Sequence, residues 1–373
     1  MKNFDVLVVG GGHAGYEASL AAARMGAKTA LVTIEKAAIG RMSCNPSVGG
    51  IAKSHIVSEL DALGGEIARN SDYTGIQFRT LNLSKGPAVR AVRTQCDKEI
   101  FPLRIQAVIE REEHLTVIEG LVSQILTKEG KVTGITMSDG TPVHGQTVVI
   151  ATGTFLRGLI HIGDKNFSGG RVGEKAAEEL SSSFLDFGFK LERLKTGTPP
   201  RLHRDSIDYD RMERQPGLRP PPLFSWSAKR DWDMFHVEQH GEEPSVDDPM
   251  FHVEHLKDLV KPWPVGTSQI DCFLTHTTEE THEIIEKNLT RSAMYGGQIE
   301  STGVRYCPSI EDKIVKFRDK NSHHVFVEPE GRNLLEIYPN GTSNSLPEEV
   351  QHAMIRSIPG LLALQRGEAH FAG

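Results

Sequence analysis

Gly10, Gly12 and Gly15 stand in G-x-G-x-x-G register directly after the apolar run Phe4 to Val9. No other stretch restricts the fold as much. A short valine-rich run of this kind predicts a buried parallel strand. The small-residue stretch Ala14 to Met25 predicts a helix packed closely on it. Each glycine has a physical task. Gly10 permits the tight turn, Gly12 lets the backbone approach a pyrophosphate, and Gly15 lets helix and strand come together. The helix start offers N–H groups and a positive dipole end to phosphate. Gly10, Gly11, Gly12, His13, Ala14 and Gly15 are therefore the expected dinucleotide contacts, against the plainer alternative of a glycine-rich turn with no ligand. Ala27 to Ile34 predicts the second strand. Glu35 closes it, where an acid usually holds the adenosine ribose hydroxyls; a solvent-facing strand-end glutamate is the alternative.

The chain has 373 residues, enough for two domains, and a net charge of -7. That balance argues against indiscriminate nucleic-acid binding and permits a local basic patch. No apolar run approaches the roughly 18 residues that suggest a membrane span, and no signal-peptide pattern precedes the first strand. Cys44, Cys96, Cys272 and Cys307 are widely spaced, without a C-x-x-C pair. The spacing disfavours a zinc site or disulfide framework and fits a reducing cytoplasm.

Gly40 to Lys53 (GRMSCNPSVGGIAK) reads as a loop followed by a helix over about 51–63. Cys44 near that helix start could have a depressed pKa, although a structural thiol is the commoner case. Gly49-Gly50 would let backbone lie flat on a planar ligand. Ser84 to Arg93 is basic, with Lys85, Arg90 and Arg93, and is read as a phosphate grip or a solvated turn into a helix over about 94–113. From Leu115 to Ala151, alternating runs and the turns Lys128-Glu129-Gly130-Lys131 and Ser138-Asp139-Gly140-Thr141 predict an antiparallel meander. It feeds an apolar strand ending in Ala151-Thr152-Gly153, an element that resembles the strand end passing close to the flavin nucleotide in two-dinucleotide-binding flavoproteins. With the glycine loop, this favours FAD over NAD at the first site. Lys195 and Arg201 lie in a rigid basic loop, LKTGTPPRL, the best polyanion contact by composition.

Composition shifts near Asp205, and Ser225 to Pro264 is polar, acidic and histidine-rich. It repeats Phe-His-Val-Glu at 235–238 and 251–254. Metal ligation by these histidines is disfavoured, since nothing else shapes a metal site. The tetrapeptide can be encoded by a self-complementary codon series, so a DNA-level palindrome is the expected origin of the repeat. Order returns with a strand over 269–277 and a helix over about 279–289. Pro308 at a first helical position would set Cys307 near a helix N-cap.

The blocks GGGHAGYEA, MSCNPSVGGIAKSH, GIQFRTLNLSKGPAVRA, ATGTFLRGLIHIG, LKTGTPPRL, STGVRYCPSIEDKIVKF and EIYPNGTSNSLP resemble the glucose-inhibited division protein A family, FAD-dependent modifiers of tRNA uridine. The resemblance implies an α/β, Rossmann-like FAD-binding fold of the two-dinucleotide type, with a β-meander and an inserted smaller α/β domain. The expected division is an FAD domain over 1–204, the inserted domain over 205–320 with a flexible insertion at 225–264, and a return to the FAD domain over 321–373. It implies that Val122, Thr152 and Gly153 join the glycine loop and Glu35 at FAD, and that Gly303, Arg305, Tyr306 and Phe317 belong to an NAD segment. Cys44 and Cys307 would work covalently on uracil: a thiolate adding at C6 makes C5 nucleophilic. Lys85, Arg90, Arg93, Lys195 and Arg201 would hold tRNA. FAD, NADH and methylene-tetrahydrofolate are the implied cofactors. A GTPase is the implied partner, and a homodimer the family's assembly. A non-catalytic FAD-binding remnant and a folate- and FAD-dependent tRNA uracil-5-methyltransferase are the alternatives; the SCNP and RYCPSIEDK blocks favour the first reading over the second. Two departures stand out. Ala177 replaces a frequent serine, and the family continues beyond Phe371-Ala372-Gly373 into a second FAD segment, so a C-terminally truncated chain is expected.

Overall fold

The computed structural model describes residues 3–238, 261–299 and 309–361. The chain forms two compact units that interleave in sequence: residues 1–156, 177–183 and 217–270 make the first, and residues 157–176, 184–216 and 271–373 the second. The composition shift near Asp205 falls inside the second unit.

In the first unit, β1 (Asn3–Val9) leads into α1 (His13–Arg24) and β2 (Thr29–Thr33). Then come β3 (Ser47–Gly49), α2 (Lys53–Ala62), α3 (Ile67–Tyr73), β4 (Gly75–Leu81) and β5 (Ala91–Cys96). Next follow α4 (Ile100–Glu110), β6 (Leu115–Glu119), β7 (Val122–Lys128), β8 (Lys131–Met137) and β9 (Pro142–Ile150). The main sheet has the order β6-β2-β1-β9-β8-β7. Its first four strands are parallel, and β7, β8 and β9 form the antiparallel meander. The parallel strands are apolar because they are covered. Leu7, Val8, Leu31, Tyr16 and Leu20 are all at most 1 % exposed, so the α1 face that carries Tyr16 and Leu20 is driven onto the sheet by the removal of apolar surface from water.

Two local expectations change. The helix expected from Thr94 starts at Ile100, and Ala91–Cys96 is instead the central strand of the antiparallel sheet β3-β5-β4. Asp97 explains the late start: its Oδ1 accepts the N–H groups of Glu99 at 3.0 Å and Ile100 at 3.1 Å. The stretch expected to be a flexible insertion begins with a helix. After α5 (Leu180–Asp186), α6 spans Trp226–Glu238. A buried carboxylate holds its start, because Asp72 accepts the N–H groups of Phe224 at 3.2 Å and Ser225 at 2.7 Å. Burial pushes the Asp72 carboxyl well above the usual range, opposed by these two hydrogen bonds. Tyr73 adds a hydrogen bond to Asp231 at 2.6 Å. The first Phe-His-Val-Glu copy closes this helix; the second lies outside the described residues.

The second unit contains the hairpin β10 (Leu159–Ile162) and β11 (Lys165–Ser168). Its larger sheet is built from β12 (Leu202–His203), β13 (Glu213–Gln215), β14 (Cys272–His276), β15 (His324–Pro329) and β16 (Glu336–Asn340). The order is β12-β16-β15-β14-β13, antiparallel throughout. Helices α7 (Glu279–Lys287), α8 (Ile310–Lys316) and α9 (Glu348–Arg356) accompany it. Ile285, Ile310, Val325, Met354 and Ile358 pack together in its core without measurable exposure. The N-cap of α8 is Ser309, in a capping box with Asp312. The helix therefore opens at Ile310, where the serine and aspartate side chains satisfy the first free N–H groups, and Pro308 lies outside the described residues.

Candidate functional site

The glycine loop sits where the carboxyl ends of β2, β1 and β9 meet. Gly10 has φ of +113°, and a Cβ there would lie 2.2 Å from the Ala151 carbonyl oxygen. A Cβ on Gly15 would lie 1.7 Å from the Gly10 oxygen. These two glycines are thus required by backbone packing. Gly12 differs: nothing lies within 4 Å of its Cβ position. It is the N-cap of α1, and no side chain caps that helix end. The arrangement leaves open space in front of a helix N-terminus that no side chain caps, as a pyrophosphate site requires.

Neighbouring loops wall the same end of the sheet. Ala151 N donates to Val9 O at 2.8 Å, which sets the Thr152-Gly153 strand end beside the loop. Gly10 N donates to Val32 O at 2.8 Å, and Glu35 follows β2 as an exposed residue. Gly40 N donates to Gly11 O at 2.9 Å. Gly120 N donates to Thr33 O at 2.8 Å, two residues before buried Val122. His13 is half-buried, with its ring 5.6 Å from that of Phe101, and Ala14 is exposed. The structure therefore gathers Gly10 to Gly15, Glu35, Thr152 and Gly153 at one sheet end. Thr33, Gly40 and Gly120 join them through backbone and packing contacts that no sequence motif marks. Ala177 is buried and donates its N–H to Phe155 O at 2.8 Å.

Cys44 is exposed. Its loop is tied to β5, since Cys96 N donates to Pro46 O at 2.7 Å and Gln95 Nε2 donates to Asn45 Oδ1 at 3.0 Å. Gly49, φ +104°, packs against the Val92 carbonyl and Phe224, while Gly50, φ +102°, faces open space. Cys96 and Cys272 are buried, and burial pushes the Cys96 thiol far above its ordinary range. In a Cys307→Ser background, an alkylating reagent should modify Cys44 in the native protein, and Cys96 and Cys272 only after denaturation. Peptide mass mapping reads this; labelling of Cys96 at the rate of Cys44 would contradict the burial. Cys307, with Gly303, Arg305 and Tyr306, lies outside the described residues. Phe317 is exposed at the end of α8.

The basic residues separate into different environments. Lys85 and Arg90 are exposed on the turn between β4 and β5, with Arg90 Nε donating to Lys85 O at 3.3 Å. Arg93 is half-buried on β5, and its Nη2 reaches Ser47 Oγ at 3.4 Å, beside the Cys44 loop. In the second unit, Lys195 Nζ lies 3.8 Å from Asp312. Arg201 corrects an expectation. It is 5 % exposed, its Nε donates to fully buried Glu330 at 2.7 Å, and its guanidinium lies 4.7 Å from the Tyr338 ring centre. A side chain so enclosed holds its own unit together and presents no face to a nucleic-acid backbone. Among the described residues, no cluster of histidine, cysteine or acidic residues could hold a metal ion, and no helix is long and apolar enough to cross a membrane.

The sequence pattern of the family described as "Glucose inhibited division protein A" matches residues 5–245 and 248–370. The tRNA uridine 5-carboxymethylaminomethyl modification enzyme MnmG of Aquifex aeolicus is 50% identical over 362 residues, covering 97% of this chain and 54% of that protein. Its counterpart in Geobacter sulfurreducens is 48% identical over 360 residues, covering 96% and 52%. The crystal structure of Aquifex aeolicus GidA in its form I crystal superposes with a TM-score of 0.82 at 49% identity, over 97% of this chain and 56% of that one. The chain spans about half the length of the curated relatives it matches.

Proposed function

Because the chain belongs to the glucose-inhibited division protein A family, we propose that it is the flavin-binding half of an enzyme that modifies C5 of the wobble uridine of tRNA. The added group is carboxymethylaminomethyl or aminomethyl. The reading takes FAD at the glycine loop, NADH as reductant, methylene-tetrahydrofolate as one-carbon donor and a GTPase as partner. It places the protein in the cytoplasm, with the homodimer as its assembly.

The observation that carries the reading is the contrast within the loop. Gly10 and Gly15 are locked against backbone, while the space at Gly12 is open beneath an uncapped helix end. The residues present therefore fit a dinucleotide. The N–H groups at the start of α1 would hold its pyrophosphate, and the Glu35 carboxylate would accept from ribose hydroxyls. Bound FAD supplies redox chemistry at the one-carbon unit that side chains cannot. Cys44, exposed on a loop anchored to β5, is available to add to a pyrimidine, and Arg93 beside that loop brings positive charge toward a phosphate. Cys307 shares the covalent role in this reading, and the order in which the two thiols act stays open.

A second reading is a non-catalytic FAD-binding remnant, in which the same glycine loop holds the dinucleotide without turnover. Purification separates the two. The enzyme reading expects a yellow protein whose flavin colour bleaches on anaerobic addition of NADH. Retained flavin that NADH does not reduce favours the remnant. Colourless protein that takes up no added FAD overturns the flavin site itself.

A further inference from the structure

Two histidines meet in the second unit where α7 lies beside the entrance to β15. The His282 and His323 rings are stacked, with centres 5.2 Å apart and planes 29° from parallel. A buried hydroxyl joins them. Thr277 is 2 % exposed and connects β14 to α7. Its Oγ1 accepts the His323 backbone N–H at 2.8 Å and lies 2.8 Å from His282 Nε2. Thr277 N in turn donates to His323 O at 2.9 Å. Among the described residues, the acceptor offered to the Thr277 O–H is His282 Nε2. It can accept only while it carries no proton. On His323, Nε2 is buried and has no hydrogen-bond partner among the described residues, so a proton there would go unsatisfied. Both imidazoles are thus built into the fold in their neutral forms.

The charges around the pair do not reverse this. Burial pushes the His282 pKa down, opposed by Glu286 and Glu279 on its own helix. Burial also lowers that of His323, and His282, Lys313 on α8 and His324 add to the effect. Glu283 holds Lys287 at 3.0 Å, and Arg318, Asp319 and Lys320 are exposed in the loop before His323. His324 faces His276 across the β14–β15 ladder, with ring centres 4.9 Å apart. From α9 the contact is neutral. Ser357 Oγ lies 2.6 Å from Thr281 Oγ1, and Ser357 O accepts from Thr278 Oγ1 at 3.2 Å. Thr278 is the N-cap of α7, in a capping box with Thr281. The histidine pair therefore sits where the start of α7 is joined both to β15 and to the end of α9.

We propose that His282, His323 and Thr277 form an acid-sensitive latch, closed while both rings are neutral and opened when they take up protons from solvent. Protonation of His282 turns Nε2 from acceptor to donor and leaves the Thr277 hydroxyl proton without a partner. Protonation of His323 buries an N–H without an acceptor, and two imidazolium rings at this spacing repel each other. Opening frees the first turn of α7 from the β15 entrance and loosens its ties to Ser357. The sign follows from the lowered pKa values. The folded chain takes up these protons less readily than the unfolded one. The latch's contribution is therefore complete above the unfolded value of about 6.5 and is lost as pH falls through the folded values. The latch belongs to the second unit and does not rest on the flavin reading.

The test is hydrogen–deuterium exchange of the full chain, read by mass spectrometry at about pH 7.5 and about pH 5, on either side of the ordinary histidine range. Labelling times are scaled for the pH dependence of intrinsic exchange. Peptides spanning 277–289 should lose protection at least about tenfold at the lower pH. In His282→Gln/His323→Leu, glutamine offers Thr277 an acceptor, leucine removes the buried nitrogen, and neither residue titrates. That variant should hold its protection within about twofold between the two pH values. If it does not fold, His282→Gln alone serves, with a response reduced at least about threefold from wild type. The His282 ring carbon signal, identified by its loss in His282→Gln, should titrate below about 6.5 in the wild-type chain. Protection unchanged by pH, a response that the variants share in full, or a His282 midpoint at or above about 6.5 overturns the latch.

Discussion

Gly12→Ala leaves the protein folded and strips it of FAD, whereas Gly15→Ala damages the fold itself. The two substitutions add the same methyl group three residues apart, and their effects separate because of what each methyl meets. At Gly15 the new carbon would lie 1.7 Å from the Gly10 carbonyl oxygen. Backbone on both sides of the β1–α1 turn must move, and overpacking of that kind costs about 3 kcal/mol or more. At Gly12 nothing lies within 4 Å, and the residue has φ of -73°, which alanine accepts. The helix loses only the preference for glycine over alanine at an N-cap, under about 1 kcal/mol. The methyl does fill the volume through which a pyrophosphate would approach the helix N–H groups. FAD affinity should fall at least about a hundredfold, equivalent to roughly 2.7 kcal/mol. Urea denaturation gives the stabilities, and flavin absorbance after gel filtration gives the binding. Undiminished flavin in Gly12→Ala would remove the glycine loop as the pyrophosphate site, whatever else the chain does.

The glycine loop could be read from sequence because its geometry is local. Strand, turn and helix are adjacent in the chain, and each glycine answers a constraint set within a few residues of it. The Ala151-Thr152-Gly153 strand end was legible for the same reason, although its place beside Val9 depends on the long-range pairing of β9 with β1. The helix expected from Thr94 failed where local and tertiary preferences compete. Ala91–Cys96 pairs with both β3 and β4, and that pairing outweighs a helical pattern that resumes only after Asp97. α6 was missed because its polar sequence carries no strong apolar stripe; its anchor is the buried Asp72, about 150 residues earlier in the chain, as the 152 and 153 residue separations of its two hydrogen bonds record. Charge counts along the chain treat Lys85 and Arg201 alike, yet one is exposed on a turn and the other is enclosed. A basic residue becomes a phosphate contact only where its charge faces solvent.

Arg201→Ala should therefore act on stability, lowering it by about 3–5 kcal/mol, the usual cost of removing one member of a buried ion pair. Glu330 has no measurable exposure, and its Oε1 accepts from Arg201 Nε at 2.7 Å. Truncation leaves that carboxylate without its guanidinium. Arg201 Nη1 also donates to Thr198 Oγ1 at 2.8 Å and Pro199 O at 3.0 Å, so the basic loop loses its internal brace. The face of Tyr338 loses its cation as well, a smaller effect of about 1–2 kcal/mol when desolvated. Replacing both partners, as Arg201→Met/Glu330→Leu, removes the two charges together and should recover most of the loss, because a buried pair is worth little more than an apolar pair of similar size. Thermal melts followed by far-UV circular dichroism rank the three proteins. The order expected is wild type and double variant close together, with Arg201→Ala well below. The same melts decide what the residue is for. A stable Arg201→Ala protein with weakened RNA binding would return Arg201 to the nucleic-acid surface, whereas a destabilised single variant rescued by the second substitution assigns it to the core of its unit.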